Sequence, residues 1–205
     1  MRSVQEGLLK KAGTSLLSTM MRKRKRMPSP KIRQIVLGVC GSIAAYKAGD
    51  IVRRLQDNHC EVTVIMTQGG THFITPLTLS SLSGKNVYSD MFDRDAWRMA
   101  HIELAKSTDI ILIAPATANI IGKLANGLAD DLLTTFVITS RAPVYIAPAM
   151  NDEMYANKIV RENCDKLKKH GFKFIEPVKG KLACGSVGIG HLAEVDQIVK
   201  AVVEA

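Results

Sequence analysis

The chain has 205 residues, 46% of them hydrophobic and 23% charged, with a formal net charge of +9. That balance suits one ordinary soluble domain and excludes a fibrous or wholly disordered chain, and no run of about 18 apolar residues exists that could cross a membrane as a helix. The charge is unevenly placed: residues 1–31 hold nine Lys/Arg and one acid, residues 32–205 nineteen and eighteen, so the basic character belongs to an N-terminal segment and not to a nucleic-acid-binding face.

In that segment Val4, Leu8, Ala12, Leu16 and Met20 recur at four-residue steps, the spacing of one flank of a helix. The basic run Arg22–Arg26 follows, and Pro28 and Pro30 then disfavour a helix running into the first strand. The pattern admits a transit peptide, a membrane-surface helix or a basic localisation signal. It equally admits a mobile extension, or a start at Met20, Met21 or Met27.

From Ile32 the periodicity changes. Ile32–Val39 is a short β-branched apolar run ending at Gly41, which reads as a buried strand and a tight turn. Ser42–Gln56 has helical spacing behind a capping serine. Strands are predicted over Glu61–Met66, Asp109–Ala114, Pro143–Ala147 and Lys173–Ile175. Helices are predicted over Thr75–Ser83, Gly127–Ser140, Asn151–His170 and Val195–Glu204. The alternation implies an α/β fold in a single domain: a Rossmann-like, flavodoxin-like parallel sheet with helices on both faces. Residues 1–31 are set apart as the extension and 32–205 as the domain.

In such sheets ligands bind beyond the carboxyl ends of the strands. Each strand here ends in a polar or Gly/Pro-containing segment: Gly41-Ser42, Thr67–Gly70, Pro115–Asn119 and Pro148–Asn151. Gly41-Ser42 at a strand–helix junction offers backbone N–H groups and a hydroxyl to an anion, although taken alone a plain N-cap is the commoner reading. Neither G-x-G-x-x-G nor G-x-x-x-x-G-K-[ST] is present, so a dinucleotide fingerprint and a P-loop are absent. Thr117 and Asn119 add a hydroxyl and an amide, a set that suits a mononucleotide phosphate better than a metal. Cys40, Cys60, Cys164 and Cys184 form no CxxC pair, which excludes a zinc-knuckle or thioredoxin-type motif, and four cysteines without a secretory-signal pattern are no disulfide scaffold, so a reducing, cytoplasmic compartment is the expectation. Cys40 and Cys60 sit in or beside apolar strands. Cys184 lies between Gly180 and Gly190, where four glycines in eleven residues predict a mobile flap over about residues 179–194.

Five segments taken in order carry a resemblance: Gly41–Lys47 (GSIAAYK), His101-Ile102, Ala114–Asn119 (APATAN), Pro148–Met154 (PAMNDEM) and Lys181–Gly185 (KLACG). They resemble the homo-oligomeric flavin-containing cysteine decarboxylases over about residues 32–205. The likeness is nearest to the branch that acts on 4'-phosphopantothenoylcysteine in coenzyme A biosynthesis. Lantibiotic peptidyl-cysteine decarboxylases lack the A-C-G flap, and flavin prenyltransferases lack its pairing with P-x-M-N. Two positions depart from the family: Tyr155 stands where Trp is usual, and Ser186 where Asp usually follows A-C-G. Both changes bear on the expected substrate contacts.

The resemblance implies FMN as cofactor, lined by Gly41, Ser42, Ile43, Thr67, Thr117, Ala118, Asn119 and Ala149. It implies His101, Asn151 and Cys184 as the catalytic residues. His101 would serve the early oxidation and decarboxylation, and Cys184 would donate a proton. Asn151 would hold the substrate carboxylate or the neighbouring amide. Lys181, Ala183 and Leu192 would touch substrate from the flap. The implied chemistry removes a hydride from the CH₂–SH carbon, loses carbon dioxide from the resulting thioaldehyde, and returns the hydride. It further implies a trimer, or a dodecamer of trimers, with FMN between protomers. Two other readings remain: a peptidyl-cysteine decarboxylase, and a regulatory subunit that binds a protein phosphatase.

Overall fold

A computed structural model of the chain describes residues 32–92, 102–181 and 187–205. The N-terminal extension, His101, Ala183, Cys184 and Ser186 lie outside the described residues.

Eight strands are described: β1 (Arg33–Val39), β2 (Cys60–Met66), β3 (Val87–Tyr88), β4 (Ile110–Ala116), β5 (Val144–Pro148), β6 (Lys173–Phe174), β7 (Val178–Lys181) and β8 (Val187–His191). The helices are α1 (Ala48–Asp57), α2 (Gln68–Thr71), α3 (Pro76–Ser83), α4 (Ile102–Ser107), α5 (Ala118–Ala125), α6 (Leu132–Thr139), α7 (Asp152–Ala156), α8 (Lys158–Lys169) and α9 (Val195–Val203).

Six strands form one sheet in the order β3-β2-β1-β4-β5-β6, every pairing parallel. Alternate residues of the central strands feed opposite faces. Leu37, Val64 and Leu112 pack under Ile51 and Leu55 of α1 and Ile198 and Val202 of α9. Val36, Ile65, Ile111 and Ile113 pack under Ile120 and Leu124 of α5, Phe136 of α6 and Leu167 of α8. Both faces are therefore covered, which is why these strands read as unbroken apolar runs.

The chain winds outward from β1 to β2 and β3, then returns to place β4 on the other side of β1. That reversal opens a crevice beyond the ends of β1 and β4.

Several predicted boundaries shift. The first helix begins as a five-residue 3₁₀ turn over Ile43–Lys47, closed by Ala45 N–H donating to Ser42 O at 2.9 Å, and only then becomes α1. The predicted helix at Gly127 starts instead at Leu132. Gly127 has φ +68° in a turn that follows α5, and Asp131 caps α6 through a reciprocal bond pair with Thr134. Helix α5 was not predicted, although Ile120, Ile121 and Leu124 stand at helical spacing behind Thr117. The predicted helix Asn151–His170 is two, parted at Asn157, whose backbone is extended (ψ 133°) and whose side chain accepts from Ile159 N–H. The edge strand β3 and helix α4 are additional elements.

Candidate functional site

The ends of β2, β1, β4 and β5 are laced together up to the crevice. Thr67 N–H donates to Val39 O at 3.0 Å, Cys40 N–H to Pro115 O at 3.2 Å, and Ala149 N–H to Ala116 O at 2.9 Å. Beyond them lies a cavity of about 1040 Å³, at the upper end of the range for small-molecule sites.

Three hydroxyls cap helical turns at its rim. Ser42 Oγ accepts from Ala44 N–H (3.4 Å), Thr67 Oγ1 from Gly70 N–H (3.2 Å) and Thr117 Oγ1 from Ile120 N–H (3.4 Å). Each turn presents further backbone N–H groups without helical partners. Gly41 and Gly69 touch across the β1 and β2 ends. A Cβ on Gly41 would lie 2.8 Å from the Gly69 carbonyl carbon, so any side chain there would push the two turns apart.

All eight residues expected for the cofactor line this one cavity: Gly41, Ser42, Ile43, Thr67, Thr117, Ala118, Asn119 and Ala149. Asn151 joins them, its side-chain oxygen accepting from Glu153 N–H (3.0 Å) and Met154 N–H (3.4 Å) at the start of α7. Leu192 also borders the cavity, but it is 1% exposed and anchored in the core, so it offers an edge and not a mobile contact. The backbone of Lys181 ends β7.

The Gly-rich stretch is an antiparallel hairpin along its described length, β7 with β8, in place of the expected loop. Glycine permits this because the hairpin lies against the Asn151 turn. Met150 N–H donates to Gly190 O at 3.0 Å, and a Cβ on Gly190 would collide with Met150 O, one on Gly188 with the Asp152 carboxylate.

Several lining residues were not anticipated: Tyr46, Lys47, Gln68, Lys123, Asp130, Asp131, Met154 and His191. Lys123 Nζ lies 2.8 Å from both Asp130 Oδ1 and Asp131 Oδ2, which raises its pKa. Burial pushes the Asp131 carboxyl up, but hydrogen bonds from Lys123 and Thr134 outweigh it and hold the group below its ordinary range. The pair spacing Asp131-x-x-Thr134 was a visible cap signal. The pairing of Lys123 with two acids seven and eight residues on was not.

Cys40 closes the end of β1, and burial pushes its thiol up to about 12, so it is an uncharged packing group. Tyr155 turns away from the cavity. It is 5% exposed, its hydroxyl donates to Glu176, and Arg161 lies over its ring at 5.1 Å. The tyrosine at this position is a packing residue bonded to Glu176 and is not among the residues lining the cavity. No group of three or more potential metal ligands gathers among the described residues.

Residues 22–205 match the family described as Flavoprotein. The chain is 48% identical over 170 residues, 83% of its length, to the coenzyme A biosynthesis bifunctional protein CoaBC of Borreliella burgdorferi, and spans 44% of that relative. It is 44% identical over 175 residues to the probable phosphopantothenoylcysteine decarboxylase of Streptococcus mutans, covering 84% of this chain and 98% of that one. Among solved structures it is similar to a Cys-to-Ser variant of PPC decarboxylase complexed with pantothenoylaminoethenethiol. The TM-score is 0.76 at 32% identity, covering 84% of this chain and 97% of the other.

Proposed function

The chain belongs to the Flavoprotein family, and from that premise we propose that it is an FMN-dependent decarboxylase converting 4'-phosphopantothenoylcysteine to 4'-phosphopantetheine in coenzyme A biosynthesis. The observation that carries the proposal is the union of the capped turns with Asn151 on one cavity. The likeness to a decarboxylase that the chain spans almost end to end supports it.

The residues fit a flavin mononucleotide. A monophosphate suits N–H groups at the Ser42 and Thr117 turns, which carry no G-x-G-x-x-G for a dinucleotide. Gly41, Gly69, Ala118 and Ala149 leave room for a flat ring, since none carries a side chain larger than methyl. When bound, the flavin supplies a reversible hydride acceptor, which provides the electron sink that a cysteine carboxylate lacks on its own.

The chain's own residues do the rest. Asn151 is held by its cap bonds, so it meets the carboxylate or adjoining amide of the substrate without reorganising. Cys184 Sγ delivers the proton that completes the reduced product; a thiol with an ordinary pKa of about 8.5 is still protonated at neutral pH. His101 acts earlier, at the oxidation and loss of carbon dioxide. Lys181 and Ala183 contact substrate, as the resemblance implies. The exposed apolar side chains of Ile43, Tyr46 and Met154 at the cavity mouth favour a second copy of the chain closing it, in a trimer or dodecamer.

The test is direct. The purified protein is expected to carry FMN and to release carbon dioxide from phosphopantothenoylcysteine but not from a peptide with C-terminal cysteine. Cys184→Ser is expected to release carbon dioxide yet accumulate the unreduced aminoenethiol. His101→Asn is expected to retain flavin and stop before carbon dioxide is lost. A colourless protein that cannot be reconstituted with FMN, or co-purification with a phosphatase without turnover, refutes the proposal.

A further inference from the structure

The turn that presents Asn151 to the cavity is followed by α7, a helix of five residues. So short a helix does not hold its own direction, because fixing the first turn costs more than its few bonds return. Its direction is set by what holds its far end, and there stands Tyr155. The Tyr155 N–H donates to Asn151 O at 3.0 Å, so a shift of Tyr155 is passed to the Asn151 backbone. The Tyr155 ring is buried, and its hydroxyl donates to Glu176.

Glu176 precedes Val178, the first residue of β7, with the buried Pro177 as a stiff link between them. Val178 pairs with His191 on β8, and the neighbouring Gly190 O accepts from Met150 N–H, beside Asn151. The contacts close into a ring that runs from Asn151 along α7, across to Glu176, along β7, over to β8 and back. Asn151 and Gly190 both border the cavity. Every link of the ring is covalent, a backbone bond or a strand pairing, except that of Tyr155 to Glu176.

We propose that Glu176 is a positioning residue for the substrate, fixing Asn151 against the hairpin through the Tyr155 hydroxyl. This rests on the decarboxylase reading above. Neither Glu176 nor Tyr155 lines the cavity, so their action passes through Asn151. A polar group held in place before the ligand arrives needs no ordering on binding, whereas one released from its frame must be ordered then, which weakens the complex. The turns at Ser42, Thr67 and Thr117, which suit the cofactor, follow β1, β2 and β4 and lie outside the ring. The link therefore bears on substrate and not on flavin. The other oxygen of Glu176 takes Lys168 Nζ at 2.7 Å, an exposed ion pair that is no part of the ring.

The experiment uses the flavin-loaded protein and 4'-phosphopantothenoylalanine, which keeps the carboxylate and the amide but has no thiol to oxidise. In calorimetry, E176A and Y155F are each expected to bind it about tenfold more weakly than the wild type, with FMN affinity unchanged. The double variant is expected to be no weaker than either single one, because both changes break one link. E176Q keeps an oxygen for the Tyr155 hydroxyl and is expected to come within about threefold of the wild type. K168M, which removes the other partner of the same carboxylate, is expected to leave the affinity unchanged. Wild-type affinity in E176A or Y155F, or a loss in K168M as large as theirs, overturns the proposal. So does an equal fall in FMN affinity, which would mean a general loosening of the fold. A wild type that binds the analogue but releases no carbon dioxide from phosphopantothenoylcysteine overturns the reading of the activity and leaves this one standing.

Discussion

Tyr155 illustrates how one residue links the site to its surroundings. Its hydroxyl donates to Glu176, which Lys168 also binds at 2.7 Å, so α7 is tied to the segment that leads into β7. Burial and the Glu176 bond raise the Tyr155 pKa. Burial raises that of Glu176 too, but bonds from Lys168 and Tyr155 outweigh it and the net shift is downward. Glu176 therefore contributes stability that is present above its ordinary value of 4.5 and is lost as pH falls through its lower folded value. Tyr155 contributes stability present below its ordinary value of 10 and lost as pH rises through its higher folded value. Tyr155→Phe is expected to cost about 1–2 kcal/mol at neutral pH, because a partly buried charged acceptor loses a donor. It is also expected to flatten the alkaline decline. Urea titrations between pH 4 and 11 measure both, and an unchanged midpoint at neutral pH would show that Lys168 alone satisfies Glu176.

Among the elements, the hairpin of β7 and β8 and the turn at Asn151 act as a unit. Gly190 allows the two backbones to meet, since any side chain there would strike Met150 O. Gly190→Ala is expected to destabilise the fold by about 1–3 kcal/mol, as overpacking does. It should also lower kcat/KM, because Asn151 moves with Met150. A melting curve paired with steady-state kinetics checks this; turnover at the wild-type level would mean that the hairpin does not position Asn151. The boundaries of α5, α6, α7 and α8 were partly legible. Thr117, Asp131, Asn151 and Asn157 are each good caps, and a cap in mid-pattern divides one apparent helix into two. Apolar spacing alone runs across such breaks. The hairpin was not legible, because strands rich in glycine carry no alternating apolar signal.

For the whole molecule, the parallel sheet with its reversal of strand order around β1 brings the capped turns at Ser42, Thr67 and Thr117 to one edge. The basic extension contributes nothing to that edge in the reading above. A protein beginning at Met27 is expected to bind flavin and turn over substrate at the rate of the full chain. A fall of tenfold or more would assign the extension to the site or the assembly. Light scattering of the flavin-loaded protein is expected to give three, or twelve, times the chain mass. Replacing the exposed Ile43 by Glu should lower that mass, as a charge is placed in the covered patch. A monomer that decarboxylates would show the cavity complete within one chain.

By itself the sequence determined the alternation of strands and helices and the residues at each strand end. Both are written locally, in apolar runs buried on two faces and in hydroxyl and amide side chains that cap their own turns. The eight residues that the resemblance implies for the cofactor stand at those strand ends and line the cavity, as does Asn151. Only the tertiary structure decided which charges meet. Lys123 finds Asp131, Tyr155 turns inward to Glu176, and Lys47 and His191, 144 positions apart, both line the cavity. No local spacing encodes those meetings. They follow from the order in which the strands pair, which is settled by packing distant segments together, and there a side chain's partner and burial are fixed by what the fold brings beside it.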